Sequence, residues 1–441
     1  MPLRLDRREA VHHGLGMTDS RLDTEIIIIG GGMAGLTLGH ALAQAGVEAV
    51  VVDRAPPPEQ LAEAHDGRAS ALAAATGAML RALGLWPGLA EEACPILDIR
   101  VSDGPSRLFL HYDHRDLKGA AGGPEQPGPM GWIVENTAIR RALHGALEGA
   151  PAAGSRPAPR LLAPAIVADV ERSATRALVT LADGRLLRGA LVVSAEGRDS
   201  GLREAAGIRV SRHDYRQDGL VCTVTFPEPH NNVAHERFLP AGPFALLPMV
   251  GRPGAPNRAS IVWTERRDLA AAAMALPDAA FSAAMSLRFG DSLGPLSLAG
   301  GRWRYPLGLQ IAERLTDRRL ALIGDAGHVI HPIAGQGLNL GLRDVAALAE
   351  VVIEAVRDGG DPGSPLVLER YERWRRADVL ALAVVTDGLN RLFANDLWPL
   401  RLARGLGLAA VNRLPPLRRF FQRHAMGEVG ALPRLLQGKP V

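Results

Sequence analysis

One stretch near the start of the chain restricts its fold more than any other: TEIIIIGGGMAGLTLGHALAQAGVEAVVVDR, Thr24 to Arg54. Ile26 to Ile29 form an unbroken β-branched run, the pattern of a strand buried in a parallel sheet. Gly30, Gly32 and Gly35 follow in the spacing G-x-G-x-x-G. Leu36 to Gln44 continue as a helix that stops near Gly46, and Ala49 to Val52 read as a second strand ending at Asp53. Strand, helix, strand commits this region to an α/β fold of the Rossmann kind. Gly30 permits the tight turn, Gly32 lets the backbone reach a pyrophosphate, and Gly35 allows close helix–strand packing. Asp53 lies where a carboxylate accepts ribose hydroxyl hydrogens, with Arg54 beside it in the same candidate site. Without a ligand, the stretch would be a structural glycine turn.

No complete second copy of this unit follows, and an NAD dehydrogenase would start the same way. The discriminating stretch is GDAGHVIHPIAGQGLNLGLRD, Gly324 to Asp344, behind a short apolar strand at Arg319 to Ile323. Gly324-Asp325 at a strand end can place a carboxylate on a polyol hydroxyl. Pro332 then makes a turn, and a helix is expected from about Gly337. The backbone N–H groups of Gly335, Gln336, Gly337, Leu338 and Asn339 would point at a ligand. A helix N-terminus stabilises negative charge, as a reduced isoalloxazine carries around N1 and C2=O. Nicotinamide needs no such second site; a flavin bridging both does.

The chain has 441 residues, enough for two or three domains. The net charge of +3 gives no argument for nucleic acid, and only Lys118 and Lys439 are lysines. Cys94 and Cys222 stand far apart with no CxxC pair, which fits a reducing, cytoplasmic compartment. The N-terminus lacks the apolar core of a secretory signal, and residues 1–16 read as a disordered extension or a mis-called start. No apolar window is long enough to cross a membrane, so the protein is expected to be soluble or to lie on a membrane surface. His328 and His331 are spaced H-x-x-H, but Pro332 and the glycines oppose the helix a zinc site would need, so no metal is expected.

The two motifs lie so far apart that the cofactor domain must be discontinuous. It is expected at 22–92, 131–207 and 305–359, with a substrate domain at 93–130 and 211–302. The β-rich pattern of 211–302 suggests an antiparallel sheet forming a substrate wall. Gly119 to Met130 and Pro151 to Arg160 read as exposed connections. Residues 364–427 turn helical; from Leu397 to Gly427 there is no acidic residue, and Trp398, Phe420 and Phe421 are interleaved with arginines. That tail is either a helical cover with a solvated basic face or a segment docking on a membrane surface or partner.

These segments, in this order, resemble the flavin-dependent aromatic hydroxylases of the para-hydroxybenzoate hydroxylase class, and among them the ubiquinone-biosynthesis ring hydroxylase family. The resemblance extends through DGRASALAAATGAMLRALGLW (Asp66 to Trp86), GWIVENTAIRRAL (Gly131 to Leu143), SAEGRDSGLREAAGI (Ser194 to Ile208), ERFLPAGPFALLPM (Glu236 to Met249) and SIVWTE (Ser260 to Glu265). HPxAGQGxNxGxxD is its most specific feature. It implies a Rossmann-like FAD domain with an inserted antiparallel substrate domain. It also implies an FAD monooxygenase that transfers oxygen from a flavin C4a-hydroperoxide to a polyprenylated phenol, reduced by NAD(P)H or a protein electron donor. A hydroxylase of soluble aromatic acids and a non-catalytic flavoprotein scaffold are the alternatives.

By the same resemblance, Gly30, Gly32 and Gly35 would hold the pyrophosphate, Asp53 the adenosine ribose and Asp325 the ribityl chain. Arg68 would contact the flavin side of the cofactor. Pro332, Gly335, Gln336 and Gly337 would border the reacting ring, and Gly335 to Asn339 its pyrimidine edge. Glu196 stands where the family usually has Asp, in a segment associated with both FAD and the nicotinamide nucleotide; it would bind the cofactor, while the electron donor becomes an open choice. Read structurally, it would cap the next helix and pair with Arg203. Tyr215, Tyr305 and His111 could line a phenol site, although each suits packing better.

Overall fold

The computed structural model describes residues 21–104, 109–117, 128–148, 159–393 and 414–441. The extension at 1–16, most of the connections at 119–130 and 151–160, and the basic stretch up to 413 lie outside the described residues.

Strand β1 (Ile26–Ile29) leads into helix α1 (Met33–Ala45) and strand β2 (Ala49–Val52). The four isoleucines of β1 are at most 5% exposed. They are covered because β1 lies inside a six-stranded sheet, ordered Thr316–Asp317, Leu320–Leu322, Leu191–Ser194, β1, β2, Arg160–Leu162. All neighbours are parallel except Thr316–Asp317 with Leu320–Leu322. Burying each such side chain contributes about 1.5–3 kcal/mol. Helix α1 begins earlier than the apolar pattern suggests, because Gly32 serves as its N-cap with extended backbone and no capping side chain. Gly46, at φ +84°, closes it in the left-handed conformation.

The second architectural layer is an eight-stranded sheet built on five long strands. They are β3 (Val210–Thr225), β4 (Val233–Leu239), β5 (Gly242–Met249), β6 (Arg258–Arg266) and β7 (Ser297–Ala312). The order is His328–Val329, β7, β3, β6, β5, β4, Asp98–Asp103, Phe109–Asp113. Its pairs are antiparallel, apart from β4 with Asp98–Asp103, a strand from the earlier of the two segments expected to form the substrate domain. Strand β7 is continuous, so the boundary expected between 302 and 305 falls inside one strand. Trp303 on β7 also packs on Gly67, where a Cβ would lie 2.2 Å from the indole ring. A small antiparallel sheet of Ala69–Ala73, Gly131–Glu135 and Cys94–Ile96 bridges the two layers.

Helix α2 (Gln336–Arg357) packs on α1, and the long helix α3 (Pro365–Phe393) packs on α2. Helix α4 (Pro415–Ala425) follows. One fully buried carboxylate ties these elements together. Asp344 on α2 accepts from the Gly324 N–H at 2.9 Å, faces His328 Nε2 at 2.6 Å, and accepts from Arg375 Nε on α3 at 2.7 Å. Arg375 also pairs with Asp378. Burial pushes the Asp344 pKa up, but His328 and Arg375 outweigh it and hold the carboxyl below its ordinary value. A carboxyl depressed in the folded state stabilises the fold above its unfolded pKa, and that contribution is lost as pH falls through the folded one. Arg375→Ala leaves the carboxylate buried without its cation, at a cost of about 3–5 kcal/mol. The urea midpoint of this variant at neutral pH is therefore expected to fall sharply, and the gap to the parent to shrink below about pH 4.

Candidate active site

The three glycines of the first motif divide by what surrounds them. Gly30 has φ +110°, and a Cβ there would meet the Ala195 carbonyl oxygen at 2.3 Å. A Cβ on Gly35 would lie 1.9 Å from the Gly30 carbonyl oxygen, so this glycine sets the helix–strand contact. Gly32 has nothing within 4 Å. The fold itself requires the first two; only a ligand at the open N-terminus of α1 gives the third a reason. Asp53 Oδ2 accepts from the Gly31 N–H at 2.5 Å and Oδ1 from the Ala55 N–H at 2.7 Å. Each oxygen keeps a lone pair for a hydroxyl. Neither Asp53 nor the exposed Arg54 beside it is among the residues lining the cavity.

The second motif forms the opposite rim. Gly324 turns at φ +58° with its N–H held by Asp344. Asp325 opens into the cavity with no hydrogen-bond partner among the described residues. The protein atoms crowded around it push its pKa up by desolvation, against the pull of His328, Arg198 and Arg68. Helix α2 starts at Gln336, one residue before the expected Gly337, with Gly335 at φ +63° as its N-cap and no capping side chain. Pro332, Gly335, Gln336, Gly337 and Leu338 line the same cavity, and Gly337 has nothing within 4 Å. Asn339 lines it too, but its side chain is engaged behind it. Its carbonyl accepts from the Ala73 N–H at 2.9 Å and from Thr76 Oγ1 at 2.8 Å, and its amide donates to the Ala71 carbonyl at 2.7 Å.

Arg68 is aimed by a buried cluster. Asp66 takes Arg68 Nε at 2.8 Å, Arg140 at 2.8 Å and Asn136 at 2.9 Å. Burial alone would raise the Asp66 pKa, yet these partners hold it well below the carboxylate range. The Arg68 guanidinium sits over the Tyr305 ring at 4.8 Å, and both residues line the cavity. Tyr305 Oη approaches Asp66 at 3.5 Å, and burial, with Asp66, raises its pKa.

Other sequence candidates are placed elsewhere. His111 pairs with Asp98 at 3.1 Å, outside the cavity. Tyr215 donates to Asp387 at 3.0 Å and packs its ring 5.3 Å from His331. His331 is fully buried, and burial lowers its pKa to about 4. Glu196 does not line the cavity: its Oε2 accepts from Ser200 Oγ at 2.7 Å and the Leu202 N–H at 3.1 Å, capping the short helix Gly201–Ala205. Arg203 does not pair with it, and donates instead to the Arg198 and Ala326 carbonyls at 2.8 and 3.0 Å. Asp98, Asp113 and His114 approach one another closely enough for a metal, but Arg115 occupies Asp113. A wider cleft of about 980 Å³ between β3 and α3, lined by charged residues such as Arg266 and Arg267, contains no residue of either motif.

Beyond the flavin-facing rim, the cavity runs onto the eight-stranded sheet. There Ile99, Val221, Ala245, Leu247 and Val262 make an apolar wall. Its polar members, which sequence patterns do not distinguish from ordinary strand residues, are His235, Glu236 and Thr264. Burial, with Arg100 and Arg237, lowers the His235 pKa to about 4. Two uncapped helix N-termini, an unpartnered Asp325 and the free lone pairs of Asp53 match the phosphate, polyol and ribose groups of FAD.

The family model described as "FAD binding domain" matches residues 23–385. Ubiquinone hydroxylase UbiL of Rhodospirillum rubrum is 48% identical over 95% of this chain and 93% of its own length. The 3-demethoxyubiquinol 3-hydroxylase of Escherichia coli is 34% identical over 92% of this chain and 98% of its own. Among solved structures, p-nitrophenol 4-monooxygenase PnpA of Pseudomonas putida superposes with a TM-score of 0.75 at 17% identity, covering 93% of this chain and 100% of that one.

The glycine geometry separates two kinds of variant. Gly32→Val has room for its side chain and is expected to keep the parent's circular dichroism while losing at least about tenfold in bound flavin per polypeptide. Gly30→Val strikes the Ala195 carbonyl and is expected to lose the fold itself. Equal flavin content in Gly32→Val and the parent would remove the pyrophosphate from this position.

Proposed function

The chain belongs to the FAD-dependent aromatic-ring hydroxylases of ubiquinone biosynthesis, in the para-hydroxybenzoate hydroxylase class, and we propose that it hydroxylates the ring of a polyprenylated phenol. The observation that carries this reading is the continuity of one cavity from both glycine motifs onto an apolar sheet wall. FAD, when bound, supplies the two-electron activation of dioxygen that places one oxygen atom on the ring and releases the other as water. NAD(P)H or a protein electron donor completes the electron count.

The chain itself contributes binding, orientation and water exclusion. Gly30, Gly32 and Gly35 would seat the pyrophosphate at the N-terminus of α1, Asp53 the ribose and Asp325 the ribityl hydroxyls. The first turn of α2 would offer N–H groups to the pyrimidine edge, with Pro332 beside the ring system and Arg68 held on its flank by Asp66. The apolar wall would keep water from the reacting pair, which suppresses loss of the oxidising equivalent as hydrogen peroxide. We assign cofactor binding to 22–92, 131–207 and 305–359, and substrate binding to 93–130 and 211–302, with Tyr305 contributing to both.

A prenylated substrate resides in a bilayer, and α4 connects that setting to the cavity. Ala425 at its end lines the cavity, while Arg419, Phe421 and Arg423 on the same helix are exposed. No helix among the described residues is long and apolar enough to cross a membrane. We read α4, with the adjoining basic stretch from 397, as a peripheral contact on the cytoplasmic face that also suits docking in a quinone-synthesis complex.

A strain lacking this protein is expected to accumulate a prenylphenol short of one or two ring oxygens, seen by mass spectrometry of its lipids. An unchanged ubiquinone pool, with no redundant hydroxylase present, counts against the substrate reading. The pair Arg419→Glu and Arg423→Glu removes roughly 2 kcal/mol of attraction to an anionic surface. It should lower the fraction bound to phosphatidylglycerol vesicles at least about tenfold; undiminished binding would place the membrane contact elsewhere.

A further inference from the structure

The sheet wall facing the flavin side is built from small residues in register. Gly219 on β3 stands opposite Thr264 on β6 and, on its other side, opposite Tyr305 on β7. The three share a transverse row, and all three line the cavity. With neighbouring strands about 4.8 Å apart, the two hydroxyl-bearing residues flank a strip about 10 Å wide in which Gly219 presents no side chain. A planar ring can lie flat on that strip.

The two hydroxyls differ in what they already hold. Tyr305 lies against Asp66 and beneath Arg68. Thr264 is 1% exposed, and its Oγ1 has no hydrogen-bond partner among the described residues. Its orientation is restricted: the Thr264 methyl lies 2.5 Å from where a Cβ on Gly242 would be, and Gly242 at φ +128° supplies that space. A buried hydroxyl without a partner costs roughly 1–3 kcal/mol, a cost that a ligand completing it would offset. Along the same strand Val262 also faces the cavity, while Trp263 between them points into the core behind the sheet.

We propose that Thr264 hydrogen-bonds an oxygen substituent of the substrate ring and thereby selects the ring carbon that faces the flavin. This deepens, and rests on, the reading of the substrate as an oxygenated aromatic ring. The Thr264 hydroxyl, closed off as it stands, donates to a phenolate or ether oxygen, or accepts from a phenol, after a small shift that opens it to the cavity. Gly219 admits the ring, and the apolar wall toward Leu247 and Ile99 receives its hydrocarbon substituent.

The test uses the full-length protein loaded with FAD, with a short-chain prenylphenol as probe. The flavin is photoreduced without oxygen, oxygen is admitted, and hydroxylated phenol and hydrogen peroxide are counted per flavin. Two pairs differ by the hydroxyl alone: the parent against Thr264→Val, and Thr264→Ser against Thr264→Ala. In either pair that retains bound FAD, loss of the hydroxyl should cut hydroxylated product at least about tenfold, or scatter it over more than one ring carbon. Hydrogen peroxide should take up the difference, and Thr264→Ser should stay near the parent. Unchanged yield and position in Thr264→Val or Thr264→Ala overturn the assignment while leaving the functional reading intact. A parent protein that hydroxylates no prenylphenol overturns the functional reading and the assignment together.

Discussion

The Asp344 carboxylate is the contact on which the site depends. A glycine-rich segment presents backbone to a ligand because it has no side chains, and for the same reason it cannot anchor itself by packing. Something behind it must hold it. Asp344 does so for the Gly324 turn and His328, and it is in turn held by Arg375 from another helix. Asn339, nearer the start of α2, has the same role, pinning the strand Ala69–Ala73 that forms the adjoining wall. Asp66 does it for Arg68. In each case a buried polar group held by several partners fixes a surface that is left bare for the ligand. The low dielectric that makes such groups costly when unpaired also makes them rigid when paired.

How much of this the sequence discloses follows from range. The first motif is legible because every step of its logic is contiguous: strand, turn, helix, strand and acid fall between Ile26 and Asp53. The apolar runs also give the parallel sheet and the β-rich wall. Asp344 ends the second motif in plain view, but its role depends on Arg375 in a different helix, a pairing no local pattern reveals. Its one local signal is a charge set among the apolar residues of α2, Leu342, Val345 and Ala346. Asn339 reads as a ligand contact and proves to spend its side chain on the scaffold. Glu196 and Arg203 show the limit from the other direction: the capping contact forms, while the arginine finds carbonyls at 198 and 326 that sequence proximity does not suggest. Thr264 is invisible beforehand, since threonine is ordinary in strands and only three-dimensional burial shows that its hydroxyl is unanswered.

The cavity divides its chemistry by wall. The side built from helix N-termini and glycines is polar through backbone alone, which suits a cofactor recognised by phosphates, hydroxyls and a charged ring edge. The sheet side is apolar with isolated polar atoms, which suits a greasy substrate whose few oxygens must be placed accurately. Strand β7 carries residues of both sides, Tyr305 among them, so the two surfaces share a rigid element. A ring and a cofactor seated on these two walls would be placed relative to one another by one continuous strand.

The order of the cavity residues along the chain bears on how the protein is made. Gly32 is among the first to leave the ribosome, whereas Gly337 and Ala425 come near the end. One wall of the cavity therefore exists long before the other is synthesised, and the strand Leu320–Leu322, which pairs with Leu191–Ser194 and leads into the second motif, arrives late as well. Contacts between such distant segments form slowly, because the intervening loop must close first. Until then Leu191–Ser194 presents an unpaired, largely apolar edge where that strand will dock. Flavin supply and chaperone capacity during the last quarter of translation thus bear on the yield of this enzyme as much as the stability of its finished core.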